Sequence, residues 1–112
     1  MTIAVREIGG PVVVVKPRGR LAAGEAPEFR AVVADLVATG RTKVAVDLDH
    51  TTFLDSTGLG ALVAGLRAAR AAGGDLTIAR PRDQVLDILT LTTMTRVLPP
   101  HATVDDAVAA LP

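Results

Sequence analysis

The run Phe53-Leu54-Asp55-Ser56-Thr57-Gly58-Leu59-Gly60-Ala61-Leu62-Val63 gathers the residues of this sequence best able to do chemistry. It follows a strand-like segment, Val44-Ala45-Val46-Asp47-Leu48, and opens a stretch in which Leu59, Leu62, Val63 and Leu66 recur at helical spacing. Ser56 therefore stands at a helix start, where a hydroxyl is a natural N-cap for the first-turn N–H groups. The same free N–H groups and the positive end of the helix dipole form a cradle for an anion. A phosphate on Ser56 would bring about −1.5 to −2 charges to that end without melting the helix. From these residues alone Ser56 reads first as an unmodified structural cap and second as a phosphoacceptor. Thr57 reads as an ordinary first-turn residue. Gly58 and Gly60 each cost on the order of 1 kcal/mol relative to alanine within a helix. Their presence in the first turn implies that something approaches this backbone closely.

Other constellations are weaker. Asp55 and Ser56 with His50 or His101 do not make a hydrolase triad, because adjacent side chains cannot build the nucleophile–base–orienter chain and no Gly-x-Ser-x-Gly elbow is present. Gly58, Gly60 and Gly65 miss the spacing of a dinucleotide fingerprint, and no Walker lysine follows a glycine-rich loop. Asp47 and Asp49 lack a further ligand cluster and read as loop and cap residues, so no metal is expected. Lys16, Arg18, Arg20, Arg80 and Arg82 read as solvated faces, and both histidines as solvent-facing loop residues. No catalytic residue and no cofactor is expected. The chain reads as a binding protein rather than an enzyme.

Composition narrows the partners. With 12 basic and 12 acidic residues the formal net charge is zero, which gives no general attraction to nucleic acid or anionic membrane. Phe29 and Phe53 are the only aromatics, so the core must be built from Val, Leu, Ile and Ala, and base stacking has no platform. Cysteine is absent, which fits a reducing compartment, and no apolar run approaches the roughly 20 residues of a membrane span. A cytoplasmic location is expected.

The elements that must position Ser56 follow from hydrophobic period. Residues 2–8 and Val12-Val13-Val14-Val15 are β-rich, with Gly9-Gly10 between them as a hairpin signal. Pro11 and Pro17 bracket the second run. Helical spacing begins near Ala26 and runs to Ala38, with Phe29, Val32, Val33, Leu36 and Val37 on one face and Gly40 beyond. The strand at 44–48 precedes the Ser56 helix, which Gly73-Gly74 closes. Leu76-Thr77-Ile78-Ala79 is a further strand, residues 83–91 a third helix, and Val97-Leu98 a short strand. Thr103 with Asp106 gives a capping-box-like start to a last helix carrying Val104, Val108 and Leu111. The 112 residues fit one domain, spanning 1–112, of α/β class. It is a mixed, open, four- to five-stranded sheet with about four helices, and sequential strand order would put the crossover helices on one face. What covers the other face is left open.

Asp55-Ser56-Thr57-Gly58-Leu59-Gly60 at a strand-to-helix junction resembles the signature of the STAS domain, specifically the bacterial anti-sigma factor antagonists. Gly19-Arg20-Leu21 with Ala26-Pro27-Glu28-Phe29-Arg30, Val46-Asp47-Leu48, and Thr103-Val104-Asp105-Asp106-Ala107 extend the resemblance over most of the chain. The resemblance implies that Ser56 is phosphorylated by a partner that is both anti-sigma factor and serine protein kinase. Unphosphorylated, the antagonist captures that kinase and frees the sigma factor; phosphorylation releases it, and a serine phosphatase resets it. Asp55, Ser56, Thr57, Gly58 and Leu59 then border the contact. Where the family often has an aspartate after the Gly-x-Leu approach to the first helix, this sequence has Ala22. The alternative within the family is an unphosphorylated STAS subunit of a lipid- or solute-transport ATPase complex.

Overall fold

Thr2, Ile3, Val5 and Ile8, then four consecutive valines, supply the β-branched side chains of the first two strands. In the computed structural model, which describes residues 1–112, β1 (Thr2–Gly9) and β2 (Val12–Leu21) form the antiparallel hairpin expected at Gly9-Gly10. There follow α1 (Ala26–Ala38), β3 (Lys43–Asp47), β4 (Thr51–Leu54), α2 (Ser56–Ala71), β5 (Asp75–Ala79) and α3 (Asp83–Leu91). A 3-10 turn at Met94–Arg96, β6 (Pro100–His101) and α4 (Val104–Ala109) come last. The six-stranded sheet runs β1-β2-β3-β5-β6, with β4 beside β2 off that path; every pairing except the hairpin is parallel.

The second strand is longer than its flanking prolines suggest, because it serves two partners. Val12 to Val15 pair with β3, and Gly19 to Leu21 pair with β4. Pro17 is tolerated where β2 has left β3 and not yet met β4, a gap in the ladder on that side. Gly19, with φ at +91°, makes the step between partners, and its N–H donates to the His50 carbonyl at 2.9 Å.

Alternation along the strands divides the molecule into two apolar layers. Val13, Val15, Val44, Val46 and Ile78 face α1, α2 and α3, where Phe29, Val33, Leu62, Leu66, Val85 and Leu89 close the main core. Val14, Ala45 and Ala79 face the other way and meet Ala107 of α4, with Val104, Val108 and Leu111 around it. The last helix thus covers part of the second face. The Thr77 hydroxyl donates to the Ala107 carbonyl at 2.9 Å, and Thr103 caps α4 by accepting from the Asp106 N–H at 3.0 Å.

Two expectations for the elements are corrected. Thr51–Leu54, where only a connection between the strand at 44–48 and the Ser56 helix is expected, is a strand. Val97-Leu98 is not a strand: Leu98 follows the 3-10 turn and is fully buried, so its hydrophobicity serves the core, and the pairing with β5 is made by Pro100–His101. His101 accordingly lies in β6 rather than in a loop. No helix is long and apolar enough to cross a membrane.

Docking of α4 should be sensitive at its centre. Ala107→Asp would bury an unpaired carboxylate and is expected to cost about 3 kcal/mol or more in urea denaturation, whereas Asp105→Ala, at an exposed position, should stay within about 0.5 kcal/mol.

Candidate functional site: a helix start built on Asp55

The chain enters α2 from a residue held on both sides. Leu54 pairs with Leu21 of β2, and on its other side the Gln84 amide of α3 takes the place of a neighbouring strand. Gln84 Oε1 accepts from the Leu54 N–H and Gln84 Nε2 donates to the Leu54 carbonyl, both at 2.8 Å. One side chain thereby satisfies both backbone groups of that residue at the edge.

Asp55 follows in an extended conformation, with φ −110° and ψ −176°, and is the N-cap. Its Oδ1 accepts from the Gly58 N–H at 2.7 Å, and its Oδ2 accepts from the Ala23 N–H at 3.1 Å. This corrects the placement of Ser56 as the cap: Ser56 is the first helical residue, exposed at the surface. The physical reason is reach, since a carboxylate can hold donors on two separate segments at once. The anion cradle expected for a phosphate is therefore already filled by the protein's own carboxylate. The Gly58 N–H, with the Ala23 N–H behind it, holds the Asp55 carboxyl below its ordinary value of 3.8 against a smaller desolvation effect.

Gly58 is required by the fold itself. A methyl group there would run into the Leu21 carbonyl and stand 2.9 Å from Leu54 Cδ1. What approaches the backbone is β2 rather than a partner. Gly60 is open by comparison, its nearest neighbour being Arg30 Nη2, 3.7 Å from where a Cβ would stand. Among the residues expected to border a partner, Ser56 and Thr57 are exposed and Asp55 is half-buried, while Gly58 and Leu59 lie inside, Leu59 at 8% exposure.

Ser56 opens onto a surface groove of about 570 Å³ that it shares with Arg30, Leu59, Val63, Arg67 and Met94. Val63 and Arg67 lie seven and eleven residues beyond Ser56 on one face of α2, a spacing legible in the sequence. Arg30 and Met94 arrive from α1 and the 3-10 turn, and only the topology reveals them. Nearby, the Arg20 guanidinium stacks on Phe53, 4.4 Å from the ring centre.

The charges expected to be solvated faces are instead organised around two aspartates. Buried Asp47 receives Arg80 in bidentate fashion, at 2.7 and 3.2 Å, and Lys16 Nζ stands 3.7 Å away. Arg82 approaches Asp49 at 3.5 Å, as does His50 Nε2, which places that imidazole on Asp49 and gives Ser56 no base from it. Burial works to raise the Asp47 carboxyl, but the Arg80 hydrogen bond, the Asp49 N–H and the nearby cations outweigh it and hold the group below 3.8.

This architecture matches known proteins along nearly its whole length. The STAS domain profile matches residues 2–107, and the chain belongs to the STAS-domain family. A Thermotoga maritima protein, TM1081, assigned as an anti-sigma factor antagonist, superposes with a TM-score of 0.86 at 25% identity, over 94% of this chain and 90% of that one. An anti-sigma factor antagonist from Mycobacterium paratuberculosis gives 0.82 at 25% identity, over 97% and 92%. The fold is also that of the anti-sigma factor antagonist SpoIIAA in its unphosphorylated form, with a TM-score of 0.81 at 19% identity over 96% and 93%. The phosphorylated form of Bacillus SpoIIAA gives 0.74 at 17% identity, over 96% and 97%.

The two glycines should respond oppositely to alanine. Gly60→Ala should raise stability by up to about 1 kcal/mol, whereas Gly58→Ala should lower it by about 2 kcal/mol or more in chemical denaturation, because β2 cannot retreat. Acid should also act through the aspartates. A carboxyl depressed in the native state contributes stability that is complete above its unfolded value and lost as pH falls through the native one. Stability should thus decline below the ordinary value of 3.8, and Asp55→Asn should flatten that decline, as read from urea midpoints against pH.

Proposed function

We propose that this protein is an anti-sigma factor antagonist that captures an anti-sigma factor with serine kinase activity and is switched off by phosphorylation of Ser56. The observation that carries this reading is the division of labour at the start of α2. Asp55 does the capping, so the neighbouring Ser56 hydroxyl stands exposed at the mouth of a groove and is not needed by the fold. The resemblance in structure to anti-sigma factor antagonists supports the class.

In this reading the chain is the substrate and the partner the catalyst. Ser56 Oγ attacks the γ-phosphorus of ATP in line; the bond from that phosphorus to the β–γ bridging oxygen breaks, ADP leaves, and the hydroxyl proton passes to the partner's base. The Mg²⁺ and nucleotide belong to the partner. The protein itself is non-enzymatic, acts in the cytoplasm, and is returned to its active form by a serine phosphatase. Asp55 and Thr57 border the docking surface with Ser56, while Gly58 and Leu59 support it from within.

Incubation with Mg²⁺-ATP and the cognate serine kinase should add one phosphate, located at Ser56 by peptide mass spectrometry. Ser56→Ala should abolish that addition and keep capture of the kinase, and Ser56→Asp should weaken capture at least about tenfold, since it places a charge, which must be desolvated, where the partner closes over Ser56, Val63 and Met94. Modification at Thr57 alone would move the switch by one residue. Neither binding nor modification would leave the transport-complex subunit as the better reading.

A further inference from the structure

We propose that the face of the sheet opposite Ser56 carries a second binding site, for a small organic anion with a short aliphatic body. The site is a cavity of about 490 Å³ between β1, β2 and the start of α4. That volume falls in the range of small-molecule pockets, roughly 300–1,000 Å³. It exists because α4 packs chiefly over β3 and β5, reaches the hairpin only at Val14, and leaves the β1 side of this face open. The antiparallel register sets Ala4 against Lys16 and Arg6 against Val14, so these four side chains share one patch of this face, with Val14 at its buried edge beside α4.

The lining selects the ligand. Ala4, Val14 and Val104 offer an apolar floor and wall, and no aromatic residue is present to stack on a base, which disfavours a nucleotide. Arg6, Lys16 and Arg80 supply three cations against two carboxylates, Asp47 and the exposed Asp105. Asp47 is already matched by the Arg80 fork and by Lys16. Arg6 has no carboxylate partner within the chain, so the cavity keeps unspent positive charge at its β1 rim. A cationic ligand would find only the solvent-exposed Asp105 free and would face Arg6 and Lys16. An anion meets Arg6 and Lys16 directly.

Arg80 fixes the floor of the cavity. It is one of two non-glycine residues at positive φ, at 55°, and its N–H is fixed to the His101 carbonyl at 2.9 Å. The strained backbone sets its guanidinium over Asp47 at the edge of the cavity, and strain of this kind concentrates where a side chain must be aimed. The depressed Asp47 carboxyl keeps that pair ionised across the ordinary pH range.

Amide NMR titration of the full chain with hexanoate, hexyl phosphate, inorganic phosphate and hexylammonium tests this. Hexanoate or hexyl phosphate should shift Ala4, Arg6, Val14, Lys16 and Val104 with a Kd on the order of 1 mM, a modest value for so few heavy atoms. Whichever of the two binds more tightly identifies the head group as carboxylate or phosphate. Arg6→Gln and Lys16→Gln should each weaken that binding about fivefold, the loss of one charge-assisted contact. Ser56→Ala should leave it unchanged. Arg6 is exposed, so its variant decides the matter even if the Lys16 variant folds poorly. The proposal is overturned if neither anion moves these amides, if hexylammonium binds as well, or if both variants retain full affinity. Equal binding of inorganic phosphate and hexyl phosphate would overturn the aliphatic part of it.

Discussion

The contact between the Gly58 backbone and the Leu21 carbonyl is the constraint on which the rest of this structure turns. It lets the end of β2, β4 and the start of α2 converge with no side chain between them. Asp55 then joins that junction to the first helix, because its second oxygen holds the Ala23 N–H in the turn leading to α1. That turn is otherwise closed by the Ala22 carbonyl, which accepts from Glu25 and Ala26 at 3.0 and 2.8 Å. Helix α1 has no side-chain cap of its own. One carboxylate therefore serves the beginnings of two helices, and the buried methyl of Ala22 shows that the turn forms without an acidic side chain at that position.

A zero net charge concealed how the charges are deployed. Lys16 from β2 and Arg80 and Arg82 from the link between β5 and α3 converge on Asp47 and Asp49 at the end of β3. A buried carboxylate left alone would be costly, and the bidentate arginine with its second cation is what makes Asp47 tolerable at 4% exposure. The same strand end supplies both the pairing with β5 and the floor under Arg80, so the ion pairs and the sheet depend on one another. The far face is thus part apolar contact with α4 and part charged cavity beside it.

Most of the order of elements was legible because hydrophobic period and glycine punctuation agree along the chain. The first helix, the hairpin, the third helix and the capped last helix all stand where those signals lie. The strand Thr51–Leu54 was missed although threonine and phenylalanine favour strands, because four residues between a turn and a helix give too short a window for alternation to register. Pro17 was misread as a stop because sequence does not reveal a strand that changes partners. Around Ser56, the motif lies at a helix start as expected but the cap is one residue earlier, since Asp and Ser are both good N-caps and only the backbone angles separate adjacent candidates. Gln84, thirty residues from the Leu54 it clamps, and Arg30, on another helix, could be joined to the site by no local pattern.

The identity of the cap changes what a modification of Ser56 would do. Were the serine hydroxyl the cap, a phosphate there would replace one helix-start acceptor by a stronger one and tighten the fold. With Asp55 in that role, the N–H groups it holds are already taken, and a phosphate one residue on would meet a carboxylate of like charge. It would be driven outward, toward the groove between α1 and α2, which Arg30 and Arg67 line. The fold would gain little from it and lose little. The surface would change greatly, because a neutral hydroxyl beside Val63 and Met94 can be dehydrated by a docking partner at small cost, whereas a dianion cannot. A binding surface can be turned off in this way only if the residue that carries the charge is not the residue that holds the helix; Asp55 holds the helix here, which leaves the adjacent Ser56 free for the role proposed for it.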